Sequence, residues 1–168
     1  MTDWQYYPKS NAVPEHLYKM VSVFKQNEEY IDSSKHKHNS NAVLSYLKNN
    51  LQSIGFTVEK GKKAEERIKI PVLFGRKGQL EKYFEVDAFQ KETGTVLEVE
   101  AGRAVDNNQF LKDLFEACVM QKVDYLAIAV RMTYRRQSDF GTVITYFDAL
   151  YASDRLNLPL KGVLIIGY

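Results

Sequence analysis

Four carboxylates fall at strand-like spacings in one stretch, Lys82 to Gly102, which reads KYFEVDAFQ-KETG-TVLEVEAG. In the first run Glu85, Asp87 and Phe89 share one face, and Phe84, Val86 and Ala88 the other. In the second run Val96, Glu98 and Glu100 share one face, and Leu97, Val99 and Ala101 the other. Strand side chains alternate with period two, so these groupings follow from reading both runs as strands. Lys91-Glu92-Thr93-Gly94 reads as the turn between them. A four-residue loop pairs Gln90 with Thr95 and sets Asp87 opposite Glu98 and Glu85 opposite Glu100. A two-residue Thr93-Gly94 loop sets Asp87 opposite Glu100. Both registers leave all four carboxylates on one face, whereas a loop of three or five residues changes the parity. Directly opposed strand residues have Cβ atoms roughly 4.5–5.5 Å apart, and like charges there are destabilising. The chemistry that suits such a stack is coordination of a divalent cation. An ordinary solvent-exposed acidic face is the competing reading.

The rest of the chain must position this hairpin. At 168 residues it is most simply one domain with a substantial core. Its composition, 45% apolar and 26% charged, is that of a soluble globular protein. The formal charge of +2 does not by itself point to nucleic acid, but the basic residues are clustered. A lone cysteine, Cys118, excludes an intramolecular disulfide and fits a reducing, cytoplasmic setting. It falls in a predicted helix and reads as core. The polar, aromatic N-terminus does not resemble a signal peptide. No run approaches the roughly 20 apolar residues of a membrane span.

Residues 1–12 read as an irregular arm, followed by one amphipathic helix over 14–30 with Leu17, Met20, Val21 and Phe24 inward. This makes residues 1–39 a helical N-terminal extension. The polar connection from Asp32 to Ser40 contains His36 and His38. They have no cysteine partner, so hydrogen bonding to phosphate, beside Lys35 and Lys37, suits them better than zinc. A helix over 41–54 follows, capped by Ser40 or Asn41, with Val43, Leu44, Leu47 and Leu51 inward and Gly55 at its end. Phe56–Lys60 and Arg67–Phe74 read as strands, the second carrying Pro71 at an edge or bulge. Gly75-Arg76-Lys77-Gly78 is a tight basic turn. Beyond the acidic hairpin, Phe110, Leu111, Leu114, Phe115 and Cys118 form one face of a helix over about 106–121. Val123–Arg131 is a strand buried on both faces. Thr142–Tyr151 is a helix and Gly162–Gly167 a closing strand. An antiparallel meander followed by a β-α-β crossover predicts an α/β fold with a mixed sheet covered by helices on both faces.

These residues resemble the PD-(D/E)XK nuclease superfamily, the restriction endonuclease-like fold. There an Asp on one strand is followed on the next by Glu or Asp, any residue, then Lys. The matching residues are Asp87 and Glu98-Val99-Glu100, with Glu100 in place of the usual Lys. That departure is similar to the branch of type II restriction endonucleases around BamHI. The resemblance covers the order of elements from about 40 to 131. It implies a single nuclease-like domain over 1–168 that hydrolyses DNA phosphodiesters with Mg²⁺ or Mn²⁺. It further implies Asp87, Glu98 and the Val99 carbonyl as metal ligands. Glu100 then acts on the attacking water or on a second metal. The family often carries a further Glu on the helix before the sheet. The helix 41–54 has no acid, so that ligand is either absent or supplied from elsewhere, with Glu28 or Glu29 the candidates.

Phosphate contacts are expected from basic residues in the loops around the site: Lys62, Lys63, Arg76, Lys77, Arg103, Arg135 and Arg136, with Arg103 foremost. Asn107, at the start of the crossover helix, is placed to touch phosphate or to cap. The expected partner is DNA, bound by a homodimer, because few residues are spare for reading base edges. The alternative is a nuclease fold without turnover that binds nucleic acid or a protein partner.

Overall fold

The computed structural model describes residues 1–61, 63 and 65–168. Its centre is a six-stranded mixed sheet. Strand β6 (Thr95–Glu100), β7 (Tyr125–Val130) and β8 (Gly162–Gly167) run parallel as its middle. β1 (Asp3–Tyr7) pairs antiparallel with β8 at one edge. On the other side β5 (Ala88–Gln90) pairs antiparallel with β6, and β2 (Thr57–Val58) with β5. The order is β1-β8-β7-β6-β5-β2. A separate two-stranded sheet joins β3 (Ile68–Phe74) to β4 (Leu80–Val86).

Alternation along the parallel strands divides the core in two. Leu97, Val99, Ala127, Ala129, Leu164 and Ile166 face α1 (Glu15–Gln26), α2 (Glu28–Ile31) and α3 (Ser40–Ser53). Val96, Leu126, Ile128, Val130, Val163 and Ile165 face α4 (Gln109–Val119) and α5 (Asp139–Ser153). Both faces are therefore covered, as parallel strands require. The expected mixed α/β sheet flanked by helices is the architecture found. Among the described residues, no helix is long and apolar enough to cross a membrane.

Three local expectations are corrected. Residues 1–12 are not an irregular arm: residues 3–7 form β1, with Tyr6 and Tyr7 buried. The single helix over 14–30 is two, interrupted at Asn27, whose side-chain amide donates to the Val23 carbonyl. The 41–54 helix is capped one residue earlier than expected, with Asn39 Oδ1 accepting from the Ala42 N–H at 2.9 Å. Pro71 does sit beside a register shift in β3, where a missing donor is tolerated.

The acidic hairpin adopts its four-residue loop. Gln90 pairs with Thr95, Phe89 with Val96 and Ala88 with Leu97. Gly94, at φ +66°, turns the chain, and its carbonyl accepts from the Asp124 and Tyr125 N–H groups at 2.8 and 3.1 Å. The loop is thereby tied to the start of β7.

Candidate active site

The antiparallel ladder ends at Ala88–Leu97, because the chain bends at Asp87 and leaves for the second sheet. A continuing ladder would have offered Val99 a main-chain carbonyl. Instead the Val99 N–H donates to Asp87 Oδ2 at 2.8 Å. The Asp87 carbonyl accepts from the Glu59 N–H at 2.9 Å. Asp87 is thus held from both sides at the junction of the two sheets. A strand residue turns its N–H and C=O toward the same neighbour, so the Val99 carbonyl also faces the Asp87 side.

Glu98 and Glu100 alternate with Val99 and project toward α4. There α4 presents Asp113 and Glu116, which are only 5% and 7% exposed. Of the helical face expected from the sequence, Phe110 and Leu114 are buried and Cys118 is half-buried, but Leu111 and Phe115 are not. Phe110, Asp113, Leu114 and Ala117 turn inward, leaving Phe115 61% and Leu111 38% exposed. Both faces satisfy helical spacing. The apolar one looked inward because buried acids are rare unless paired.

The electrostatics follow from this crowding. Burial pushes Asp87 up to about 6, with the Val99 N–H opposing and Glu59 adding to the rise. Burial, then the charges of Asp87, Asp113, Glu100 and Glu116, push Glu98 well above the usual carboxylate range. Burial, with Asp87, raises Glu100 to about 7 against the pull of Lys112 and Arg103. Burial, with Glu100 the leading charge, raises Asp113 to about 8. Lys112 Nζ lies 3.3 Å from Glu116 Oε1. Asp87 and Glu116 open into a cleft of about 530 Å³, lined also by Glu59, Glu85, Lys112, Arg67 and Lys82.

Glu85 lines the cleft but does not stack on Glu100. With β4 in the other sheet it lies opposite Lys69, not Glu100, and its carboxylate pairs with Arg67. The expectation of four acids on one face fails because Asp87 interrupts the alternation. Glu28 and Glu29 do not reach the cleft. Glu28 Oε2 accepts from the Thr2 N–H at 2.8 Å, beside β1. The acids that sequence reasoning missed are Glu59, just after β2, and Asp113 and Glu116. The i, i+3 spacing of Asp113 and Glu116 with Phe110 was the available signal.

Of the basic residues, Arg103 follows β6 and its charge reaches Glu100. Asn107 is exposed, and its N–H donates to the Arg103 carbonyl at 3.2 Å. Arg135 is exposed, pairs with Asp106 at 3.6 Å and lies over the Tyr134 ring. Gly102, at φ +104°, lets this loop approach Tyr134, since an added Cβ would lie 2.6 Å from the ring. The loops after β6 and β7 therefore gather Arg103, Asn107 and Arg135 at the carboxyl ends of parallel strands, where sites in such sheets lie. Arg136 is exposed on the same loop as Arg135. Arg76 and Lys77 are exposed at the tip of the β3–β4 hairpin. Seven strand residues separate that tip from Asp87, about 20 Å along the strand. Lys63 is exposed on the β2–β3 connection, and Lys62 lies outside the described residues. His36 and His38 stack on each other, with their Nε2 atoms 2.9 and 3.1 Å from the Glu29 and Tyr30 carbonyls.

The donors in the cleft are hard oxygens, carboxylates and one main-chain carbonyl, which fit Mg²⁺ or Mn²⁺ better than a soft metal. Among the described residues no three ligand side chains already converge at ion-binding spacing. An ion that keeps several waters and uses one or two carboxylates does not require such a trio.

No protein-family model matches the chain. No curated protein matches it in sequence. Among solved structures it is similar to the crystal structure of free BglII, with a TM-score of 0.52 and 11% identity over 99% of this chain and 78% of that one. The fold is the restriction endonuclease fold of BglII, and at this identity the likeness is one of fold.

Proposed function

We propose that the chain is a metal-dependent endonuclease that hydrolyses DNA phosphodiesters. The observation that carries this reading is the junction at Asp87. There one carboxylate is fixed by the Val99 N–H beside Glu98 and Glu100, in a cleft open to solvent. The restriction endonuclease fold shared with BglII supports it. The Glu98-Val99-Glu100 order supports the branch around BamHI.

In this reading the Asp87 and Glu98 carboxylates and the Val99 carbonyl hold Mg²⁺, with Mn²⁺ as substitute. A bound divalent cation supplies charge neutralisation and water activation. Glu100, raised to about 7, suits a base at neutral pH. It takes a proton from the attacking water as that oxygen bonds to phosphorus. The ester P–O bond breaks, and the leaving alkoxide takes its proton from solvent. Arg103, Asn107, Arg135 and Arg136 position the phosphate backbone beside the carboxyl ends of β6 and β7. Lys63, Arg76 and Lys77 contact phosphates further along the duplex. A homodimer brings one such cleft to each strand.

The test supplies linear and supercoiled DNA with Mg²⁺ or Mn²⁺ to the wild type and to Asp87→Ala and Glu98→Ala. Cleavage by the wild type alone is expected. Cleavage that survives both substitutions overturns the reading. A second reading, a DNA-binding protein without turnover, is favoured by Glu100 standing where the family's Lys would be. It is supported if the wild type binds DNA with a steep salt dependence yet leaves it intact.

A further inference from the structure

Four aromatic rings stand in one column at the α2–α3 junction, and the proposed reaction leaves them unused. Tyr30 stacks on Tyr46 with ring centroids 5.7 Å apart and planes within 10°. Tyr46 meets His38 at 5.4 Å, and His38 stacks on His36 at 5.0 Å and 13°. The two tyrosines are 51% and 43% exposed, while Ile31, Leu44 and Leu47 fill the core beneath them. The imidazoles are held in place. A carbonyl only accepts, so each Nε2 donates, His36 to Glu29 at 2.9 Å and His38 to Tyr30 at 3.1 Å. Tyr30 ends the column, and among the described residues it stacks on no ring but Tyr46. From Ser33 to Lys48 the chain carries three lysines and no acid. Lys35 and Lys37, both exposed, flank His36 in the chain.

The column is anchored at the same end of the sheet as the cleft. Arg131, just past β7, donates to the His38 carbonyl, and the Met132 N–H donates to Ser33 Oγ at 3.1 Å. The Tyr168 hydroxyl, just past β8, donates to the Glu100 carbonyl at 3.2 Å. Asn41, two residues past the α3 cap, lines the cleft itself.

We propose that this column is a stacking platform for unpaired bases, and that the substrate is DNA in which an unpaired stretch adjoins the duplex. This rests on reading the cleft as a DNA-cleaving site. A base inside a duplex has both faces covered by its neighbours, so only an unpaired or extruded base offers a face to a protein ring. Tyrosine and histidine rings stack on any base, so the platform selects an unpaired strand and not a sequence. Tyr30, at the open end, lets a base extend the column, and Lys35 and Lys37 supply charge for the phosphates of the same strand. The anchoring through Arg131 fixes the platform relative to Glu100, so a strand held on it enters the cleft from a set direction.

The experiment measures binding by fluorescence anisotropy in the absence of divalent cations, so that no strand is cut. It uses two labelled DNAs with the same duplex, one blunt and one carrying an oligothymidine overhang. The wild type is expected to bind the overhang DNA at least about fivefold more tightly. Tyr30→Ala and Tyr46→Ala are each expected to lose most of that preference while binding the blunt duplex like the wild type. Tyr46→Phe keeps the ring without its hydroxyl and is expected to keep the preference. Equal affinity of the wild type for the two DNAs overturns the proposal, as does a preference that survives both alanine substitutions. Equal weakening on both DNAs also overturns it, because the tyrosines would then be supporting the fold or the duplex contacts. Cleavage of blunt duplex with Mg²⁺, measured in parallel, reports on the nuclease reading by itself and is expected to survive Tyr46→Ala. Tyrosine-dependent overhang binding by a chain that cuts no DNA supports the platform and overturns only the turnover. A wild type that binds neither DNA overturns both.

Discussion

The two faces of β6 are built from the same six residues by opposite rules. On one face Leu97 and Val99 enter a hydrocarbon layer shared with Leu17, Phe24, Leu47 and Leu51 of α1 and α3. On the other, Val96 is followed by Glu98 and Glu100, and the helix opposite answers with Asp113 and Glu116. One face holds the strand in place. The other gathers carboxylates whose mutual repulsion works against folding. Such an arrangement persists only because the apolar face and the buried strands β7 and β8 fix β6 independently of its acids. Stability and chemistry are thus separated by a single period of two.

The sharpest way to break this contrast is on the acidic face. Asp87→Ala or Glu98→Ala should lower DNA cleavage by about a hundredfold or more while the metal-free fold survives. Cleavage assays beside circular dichroism check both halves, and a variant that unfolds would show that the two faces are not separable. On the apolar face, Leu97→Ala should cost about 2–5 kcal/mol, read as a lower urea midpoint at unchanged slope. Its native fraction should take up divalent cations like the wild type.

The next effect is on pH. Asp87, Glu100 and Asp113 are raised to about 6, 7 and 8 in the folded chain, above roughly 4 in the unfolded one. The folded state therefore binds more protons across that interval. Their contribution to stability is fully present below about pH 4 and is lost as pH rises through about 6 to 8. Without divalent cations, Tm should fall between pH 5 and 8, and Asp113→Asn should flatten the upper part of that slope. A Tm that rises over this range would contradict the burial of the acids.

Smaller effects are expected at the rim. Arg103→Ala should weaken DNA binding and reduce the salt slope by about one, measured by titration at several salt concentrations. Glu85→Gln should be smallest, less than about 1 kcal/mol in urea unfolding and without effect on cleavage. Glu85 forms a partly exposed pair with Arg67.

Much of this was legible in the chain itself. The parallel strands are apolar runs, and the Gln90–Thr95 register is one of the two the turn allowed. Type and spacing alone set apart four acids, and only the resemblance to the nuclease superfamily singles out Asp87 and Glu98 among them. β1 was not legible, because Asp3–Tyr7 is short, polar at its start and an edge strand supported on one side only by β8. Glu85 was misassigned because alternation assumes an unbroken strand, and the break at Asp87 is set by β3 drawing β4 away. Glu59 was overlooked because β2 is two residues long and its end gave no pattern.

The sequence by itself determined the period of each element and hence which residues share a face. Periodicity is a local property of the backbone, and it survives whatever packs against it. Only the tertiary structure decided which face turns inward where two were possible. For α4, Leu111 and Phe115 face out, while Asp113 and Glu116 face in beside Phe110 and Leu114. The reason is that burial of a carboxylate depends on what lies across from it, and Glu98, Glu100 and Lys112 meet there only after β6 and α4 have packed.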